Sequence, residues 1–229
     1  MRELGIATIH PEFISAYASF GVFRSATDRG LARLKVINIR DHAVDRHGSV
    51  DDRPYGGGDS MVMRPEPLKA CVEGFAPSAR VILTSPHGAR FTHADAVRLA
   101  SSTEPLLFIC GRFAGVDQRF IDRYVDEEIS FGDFIVSGGE LPVLMIVDAL
   151  LRQIPGVLGN AASAPNDSFA AGFDGGLEHP LYTRPPEFDG AKVPDVLMSG
   201  DHAAIAAWRR REAQRLTRRH RPDLDPSTN

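Results

Sequence analysis

The stretch EEISFGDFIVSGGELP, residues 127–142, departs more clearly than any other from the pattern of an ordinary strand or helix. Three glycines, Gly132, Gly138 and Gly139, enclose the short apolar core Phe134–Val136. Glycine stands where an apolar run would otherwise continue, and it lets the backbone approach a neighbouring group closely. We therefore predict that this stretch forms the wall of a pocket for a flat ligand.

The composition is that of a globular protein. A chain of 229 residues that is 43% hydrophobic and 24% charged can bury a core of one domain with a smaller appendage. The first strand-like run is not preceded by a basic and then apolar signal, and no apolar stretch approaches the ~20 residues needed to cross a bilayer. We expect a cytoplasmic protein with no membrane partner.

Cysteine and histidine spacing gives no reason to predict a metal site. Cys71 and Cys110 lie far apart in apolar surroundings, as buried free thiols do. Of the eight histidines, His42 and His47 come closest together. This pair is more typical of surface or hydrogen-bonding histidines than of metal ligands. We therefore assign no metal ligands from these residues.

The charge distribution is uneven. A net charge of −4 and an isoelectric point near 6.1 argue against a surface coated for bulk nucleic-acid binding. One segment nevertheless holds seven arginines against a single acidic residue, Glu212: Arg209, Arg210, Arg211, Arg215, Arg218, Arg219 and Arg221. Such a segment suits phosphate contacts, and it equally suits a solvated basic helix.

Apolar runs alternate with stretches of helical spacing in the first half of the chain. Four short runs are typical of buried strands: Leu4–Ile9, Leu34–Ile39, Val81–Thr84 and Leu106–Cys110. Helical spacing follows in three places: Phe13–Phe20, Ala26–Leu34, and Ala94–Ala100 after the capping residue Thr92. This alternation predicts an α/β fold, a parallel sheet with helices on both faces.

The second half of the chain predicts a long helix, a linker and a small helical domain. Apolar residues wrap most of a helix over Leu141–Ile154, and Pro155-Gly156 ends it. Residues 160–176 have the Ala, Ser, Asn and Gly content of a flexible linker. We predict domains at 1–159 and 177–229, the second ending in a helix that is capped near Asp201 and runs to about Arg219.

Two glycine-rich loops, residues 54–58 and 137–140, fit neither the dinucleotide fingerprint nor the P-loop pattern. Two more loops directly follow predicted strands, at 85–88 and at Gly111-Arg112. In open α/β sheets, ligands bind beyond the carboxyl ends of the strands. We therefore expect three such loops to converge on one pocket.

Ordered sequence blocks carry a family resemblance over nearly the whole chain. The blocks are Asp51–Gly58 (DDRPYGGG), Cys110–Arg112, Gly115–Asp117, Ser130–Phe134, Ser137–Glu140, Asp167–Phe169, His179–Pro185, Ser199–His202 and Trp208-Arg209. Together they closely resemble the bacterial tRNA (guanine-37-N1)-methyltransferases of the SPOUT superfamily.

The resemblance implies a fold and a cofactor. It implies a deep trefoil knot in the α/β domain, one of the few exceptions to the rule against threaded chains, and a homodimer with the active site shared across the interface. S-adenosylmethionine would bind in the knot, with its adenine against Phe131, Ile135 and Val136. The residues implied to bind it are Ser85, Pro86, Gly88, Gly111, Phe113, Gly115, Ser130, Phe131, Gly132, Phe134, Ile135, Val136, Gly138, Gly139 and Pro142.

The resemblance also implies the chemistry. The methyl acceptor would be N1 of guanine 37, next to the anticodon, and this atom carries a proton that a base must remove. Asp167 matches the family's base and Arg152 its charge stabiliser; the local sequence alone favours a helix cap in a polar linker for Asp167, and the resemblance reverses that preference. The anticodon stem-loop would contact the C-terminal arginines and a further set of residues: Tyr55, Gly57, Gly58, Ser168, His179, Arg184 and Arg209.

Three departures from the family pattern concern the site. Phe113-Ala114 replaces Tyr-Glu, Phe134 replaces a tyrosine, and Asp59-Ser60 replaces Pro-Gly. The missing glutamate bears on cofactor affinity and on Mg²⁺, which the resemblance raises as a second cofactor. Two alternatives therefore stay open: an RNA-binding protein that has lost turnover, and a knotted enzyme that methylates another RNA position such as a ribose hydroxyl.

Overall fold

The computed structural model describes residues 1–225, which form two compact units. The first unit is Met1–Gly159, and the second begins at Asn160. None of the helices in residues 1–225 is both long enough and apolar enough to span a membrane.

The first unit contains a parallel five-stranded sheet, as the alternation of strands and helices predicts. Its strands, with a small antiparallel pair between them, are β1 (Arg2–Thr8), β2 (Ala32–Asn38), β3 (Asp51–Asp52), β4 (Val62–Met63), β5 (Arg80–Arg90), β6 (Leu106–Ile109) and β7 (Glu127–Ser130). The order in the sheet is β2-β1-β6-β5-β7, and β3 pairs with β4 alone. All four pairings in the sheet are parallel.

Helices cover both faces of the sheet, which confirms the predicted fold class. They are α1 (Pro11–Ala18), α2 (Gly21–Asp28), α3 (Pro65–Glu73), α4 (His93–Ser101), α5 (Gln118–Tyr124) and α6 (Glu140–Gln153). Neighbouring residues of β6 point to opposite faces: Phe108 joins the buried cluster with α6, and Ile109 joins the cluster with α3 and α5.

Two helix predictions are confirmed, and a third is wrong. Helix α4 begins after Thr92, whose hydroxyl accepts from the Asp95 N–H in a capping box, and α6 lies where Leu141–Ile154 predicts it. The predicted helix over Ala26–Leu34 instead ends at Asp28. Gly30 has φ +66°, and the Leu31 N–H turns back to the carbonyl of Ala26, which stops the helix and starts β2.

The second unit is built from turns, a hairpin and two helices. Its elements are 3₁₀ turns at Ala164–Asn166, Ala171–Phe173 and Pro222–Leu224, strands β8 (Glu187–Phe188) and β9 (Ala191–Lys192), and helices α7 (Asp195–Met198) and α8 (His202–His220). The predicted cap is confirmed, because the Asp201 carboxylate accepts from the N–H groups of Ala203 and Ala204, each at 3.0 Å.

The segment 160–176 belongs to this second unit. Phe169 N–H donates to the carbonyl of Gly176 at 2.6 Å, and Ala170 is buried. Directly after the segment, Leu177 N–H donates to the Thr217 hydroxyl of α8 at 2.9 Å. That the segment becomes ordered only with RNA stays a prediction.

Candidate cofactor cavity and active-site residues

A cavity of about 270 Å³ lies at the carboxyl ends of β5, β6 and β7. Three loops form its wall, and their lining residues fall within 83–87, 111–116 and 129–139. Two of these loops follow β6 and β7, and the third interrupts β5 between them, so their convergence comes directly from the strand order.

The first loop is a bulge inside β5. Thr84 and Ala89 both pair with Ile129 of β7, so residues 85–88 loop out between them. Gly88 lies against the backbone of Glu128, where a side chain would collide with the Glu128 carbonyl. Among the residues predicted to bind the cofactor, Gly88 is the one that lies outside the cavity lining; its position shapes the bulge instead.

The second and third loops touch through their backbones. The Gly139 N–H donates to the Gly111 carbonyl at 2.8 Å, and Arg112 forms an isolated antiparallel bridge with Gly138. A Cβ added at Gly139 would stand 2.8 Å from both the Cα of Cys110 and the N of Gly111. The close approach predicted from Gly138 and Gly139 is therefore present, and its neighbour is the chain that leaves β6.

One side of the cavity is lined by apolar side chains. Phe131 packs face to face on Phe91, with 6.4 Å between the ring centres, whereas Ile135 is 81% exposed. On the opposite loop Phe113 has φ +59°, a conformation that costs free energy for a bulky residue. Such strain is typical of a backbone held in place by a functional site.

All the other residues predicted to bind the cofactor line this cavity: Ser85, Pro86, Gly111, Phe113, Gly115, Ser130, Phe131, Gly132, Phe134, Ile135, Val136, Gly138, Gly139 and Pro142. The structure adds Val116, Gln118 and Ile121, which pattern reasoning missed. Their positions follow from the packing of α5 beside the cavity, for which the sequence carries no local signal.

A buried polar cluster lies behind the cavity wall. Glu140, only 5% exposed, accepts from the Thr8 hydroxyl at 2.8 Å, and its other carboxylate oxygen lies 3.4 Å from Nη1 of Arg112. Burial, followed by the charge of Glu140, raises the pKa of the neighbouring Cys110 thiol far above its usual value. Cys110 is therefore a neutral thiol and a poor nucleophile.

Comparison with known proteins assigns the family. The family described as "tRNA (Guanine-1)-methyltransferase TrmD" matches residues 2–227. The chain belongs to this family. The tRNA (guanine-N(1)-)-methyltransferase of Geobacter sulfurreducens is 52% identical over 225 residues, covering 97% of this chain and 90% of that relative.

Other relatives of the family agree. The protein of the same name from Anaeromyxobacter sp. (strain K) is 52% identical over 225 residues, with the same coverage of both chains. The one from Burkholderia cenocepacia is 48% identical over 232 residues, covering 97% of this chain and 86% of that relative. The family resemblance drawn from the ordered blocks is confirmed.

Arg152, which the resemblance implies as charge stabiliser, lies in the last turn of α6, and this role stays a prediction. It lies ten residues beyond Pro142, about 15 Å along the helix at 1.5 Å per residue, and it does not line the cavity. One turn earlier lies Asp148, whose pKa is raised by burial, while the charge of Arg152 and a hydrogen bond with Tyr17 act in the opposite direction.

Asp167, which the resemblance implies as the base, lies in the second unit, and this role stays a prediction. It follows the 3₁₀ turn Ala164–Asn166 and has extended backbone, with φ −76° and ψ 162°. The hydroxyl of the next residue, Ser168, accepts from the Glu178 N–H at 3.0 Å. Asp167 is thus held at the edge of a small hydrogen-bonded turn.

The residues expected to contact tRNA fall in two places. Tyr55, Gly57 and Gly58 lie in the loop between β3 and β4, where the Tyr55 side chain is 98% exposed. In the second unit, the His179 ring meets the ring edges of Phe173 and Trp208, and Arg184 precedes a cis proline. Arg209 borders two cavities of that unit, of about 560 and 760 Å³.

A metal site was not predicted from the sequence spacing. Within residues 1–225, the structure brings together no group of three or more His, Cys, Asp or Glu side chains that could hold a metal ion. At the position of the family's glutamate, Ala114 offers no carboxylate to the cavity. The residues present therefore do not fit a Mg²⁺ site, and no step below involves one.

Proposed function

We propose that this tRNA guanine-N1 methyltransferase transfers the methyl group of S-adenosylmethionine to N1 of guanine 37, as a knotted homodimer in the cytoplasm. The observation that carries the proposal is the cavity formed by the loops of β5, β6 and β7, whose wall combines glycine backbone with apolar side chains. Family membership supports the transfer to a tRNA guanine.

The cavity residues fit S-adenosylmethionine. Phe131, Ile135 and Val136 offer an apolar surface for a flat adenine, and Gly138 and Gly139 keep side chains out of the adjoining part of the wall. Ser85, in the bulge of β5, and Ser130, at the end of β7, add hydroxyls to the lining. Bound there, S-adenosylmethionine supplies a methyl group activated by a sulfonium.

Backbone contacts support the knot. The chain passes from β7 through residues 131–139 and returns against the segment that leaves β6, with the Gly139–Gly111 hydrogen bond at the crossing. Gly139 is buried and has no room for a side chain there. A threaded chain needs such a position, because two backbones must pass at nearly van der Waals distance.

The chemistry assigned to the protein's own residues is acid–base and electrostatic. Asp167 would take the N1 proton of guanine, and Arg152 would stabilise the negative charge that develops on O6. An ordinary aspartate, with a pKa of about 3.9, is a weak base for this proton. Arg152 therefore matters twice, because it also makes the bound guanine more acidic.

The position of Arg152 supports an active site that is shared with a second copy of the chain. Arg152 does not line the cavity of its own chain, and it lies about 15 Å along α6 from the wall residue Pro142. Large apolar side chains on α6 and on the neighbouring α1 are exposed, among them Leu141, Met145, Phe13 and Tyr17. An exposed apolar face of this kind is typical of a subunit interface.

The second unit supports tRNA binding by charge. Within the described residues, three arginines of the basic segment are paired with carboxylates: Arg215 with Glu212, Arg218 with Asp225 and Arg221 with Asp223. Four others form no ion pair within residues 1–225 and are exposed to solvent, where tRNA phosphates would meet them: Arg209, Arg210, Arg211 and Arg219. Each such contact would add about 0.7–0.9 to the slope of log affinity against log salt.

The deciding experiment is transfer of a labelled methyl group to tRNA, followed by mass-spectrometric mapping of the nucleotide. We expect 1-methylguanine at position 37, and none in a tRNA with adenine there. Asp167→Asn should abolish turnover and keep S-adenosylmethionine binding. The matched control is Asp189→Asn, at an exposed hairpin tip with φ +49°, which asparagine tolerates.

The results separate the alternatives. Full activity of Asp167→Asn would remove the base assignment. A methylated ribose, or a methyl group elsewhere on the tRNA, would replace the proposed acceptor. Intact tRNA binding with no detectable S-adenosylmethionine binding would favour an RNA-binding protein that has lost turnover.

A further inference from the structure

A buried carboxylate joins three distant parts of the chain directly behind the cavity. Glu140 is the first residue of α6 and follows the cavity residue Gly139. Its two oxygens contact the Thr8 hydroxyl, at the carboxyl end of β1, and Nη1 of Arg112, which follows β6. None of the cavity-lining atoms comes from Glu140 itself.

The environment of Glu140 is made for a charged group. An isolated carboxylate is costly to bury, and this cost is offset when each oxygen has a partner. Here Thr8 partners one oxygen, Arg112 partners the other, and the position in the first turn of α6 adds the favourable field of the helix N-terminus. Removing one partner leaves a buried oxygen unsatisfied.

The same contacts hold the cavity wall. Arg112 belongs to the wall and forms the antiparallel bridge with Gly138, while Glu140 is covalently joined to Gly139. The glycine segment has no side chains with which to anchor itself at these two positions. Its place against β6 therefore depends on the backbone hydrogen bond from Gly139 and on the side chains at either end.

We propose that Glu140, with Thr8, is a positioning residue that holds the Gly138-Gly139 wall in the shape that binds S-adenosylmethionine. The inference rests on the proposed cofactor site and adds to it a residue that does not touch the cofactor. Glu140 acts through Arg112 and the glycine backbone, so its loss should weaken cofactor capture and leave the contacts of the second unit with tRNA unchanged.

Two substitutions separately test Glu140 and its hydrogen-bond partner Thr8. Glu140→Gln keeps an oxygen for Thr8 and places an amide against Arg112, while Thr8→Val keeps the shape of Thr8 and removes its hydroxyl, which also accepts from the His10 N–H at 2.9 Å. We expect each to raise the Kd and the KM for S-adenosylmethionine about tenfold, the effect of one unsatisfied buried group. The KM for tRNA should stay within about twofold of the wild-type value. A general loss of folding would change both KM values.

Matched controls separate positioning from folding. Glu73→Gln makes the same change on the exposed end of α3, where Glu73 pairs with Lys69 at 3.2 Å, and should leave both KM values unchanged. Thr8→Ser restores the hydroxyl and should recover most of the affinity. Circular dichroism at the assay temperature verifies that each variant is folded.

The outcomes are distinct. An unchanged Kd for S-adenosylmethionine in folded Thr8→Val would overturn the inference, even where Glu140→Gln does not fold. An equal rise in the KM for tRNA and in the KM for S-adenosylmethionine would also overturn it. If the wild-type protein binds no S-adenosylmethionine, the proposed function fails and this inference fails with it.

Discussion

The two units differ in how their chains are held. The first unit has two buried clusters, one on each face of the sheet, with fully buried aromatic side chains such as Phe108 and Phe120. In the second unit, the buried apolar side chains among the described residues are Ala170 and Ala213. Caps, ion pairs and side-chain hydrogen bonds such as those of Thr217 organise it instead.

This difference matches the two tasks proposed for them. A cavity wall that includes a glycine segment needs rigid surroundings, because glycine contributes no side-chain packing of its own. A surface that binds RNA phosphates needs exposed charge, and it can be ordered by its partner. The chain carries a convenient probe of the contrast, because its single tryptophan, Trp208, lies in the second unit.

The largest effect is expected from the core of the first unit. Phe108→Ala should lower the free energy of unfolding by about 3–5 kcal/mol, because it leaves a cavity under the sheet. Leu216→Ala, at a half-buried position of α8, should cost about 1 kcal/mol. Urea titrations followed by circular dichroism for the sheet and by Trp208 emission for α8 measure the two losses; equal losses would contradict the comparison.

The next effect concerns the backbone crossing. Gly139→Ala places a methyl group 2.8 Å from the Cα of Cys110, so we expect a loss of about 1–3 kcal/mol and weaker S-adenosylmethionine binding. Gly159→Ala is the control, because a Cβ there meets nothing within 4 Å and the residue has ordinary φ. Thermal melts with and without the cofactor compare them. If the Gly139→Ala protein is as stable as the control, the two backbone segments at the crossing can move apart without a loss of stability.

A smaller effect is expected at the start of α8. Asp201→Ala removes a carboxylate that accepts from two backbone N–H groups, and should cost about 1 kcal/mol. Asp201→Asn keeps a capping oxygen and should retain most of that stability. Trp208 emission measures the loss in the helix itself, and a normal melting curve for Asp201→Ala would show that α8 does not depend on its cap.

The smallest effect is a pH dependence of opposite sign in the two units. Burial raises the pKa of Asp148, so its charge disfavours folding as pH rises through that pKa, and Asp148→Asn should raise the melting temperature at pH 7–8. The gain should fade as pH falls toward the ordinary aspartate value of about 3.9.

The second unit provides the counterpart. A hydrogen bond from Arg221 lowers the pKa of Asp223, so Asp223 stabilises the fold above the ordinary aspartate pKa and loses this effect as pH falls through its lowered one. Asp223→Asn should therefore slightly lower the melting temperature at pH 7–8 and have no effect in acid. Melting curves across pH test both variants, and shifts of the same sign would contradict the assignment.

Local patterns predicted the elements whose causes are local. The caps Thr92 and Asp201, helix α6 and four of the five sheet strands lie close to where the sequence places them. Strand β7 was missed because it opens with two glutamates. In the fold Glu127 pairs with Arg80 at 3.1 Å, and a second bond of 3.1 Å joins it to Arg98, so a charged residue is stable at this sheet edge.

The candidate site divides in the same way. Glycines at 132, 138 and 139 predicted a close approach, since few other residues permit it. The identity of the neighbour did not follow: Cys110 and Gly111 meet Gly139 because β6 and β7 flank β5, an order that no local pattern encodes. The cluster of Thr8, Arg112 and Glu140 was missed for the same reason, with 132 positions between its ends.

By itself the sequence determined the α/β class, the helix caps, the glycine wall, the basic character of α8 and, through its ordered blocks, the family. Periodicity, capping and glycine conformation act over a few residues and are therefore visible in the chain. The strand order, the bulge at residues 85–88, the crossing at Gly139 and the buried partners of Glu140 were decided only by tertiary structure. These depend on which distant segments pack together, and that choice minimises the free energy of the whole unit rather than of any one segment.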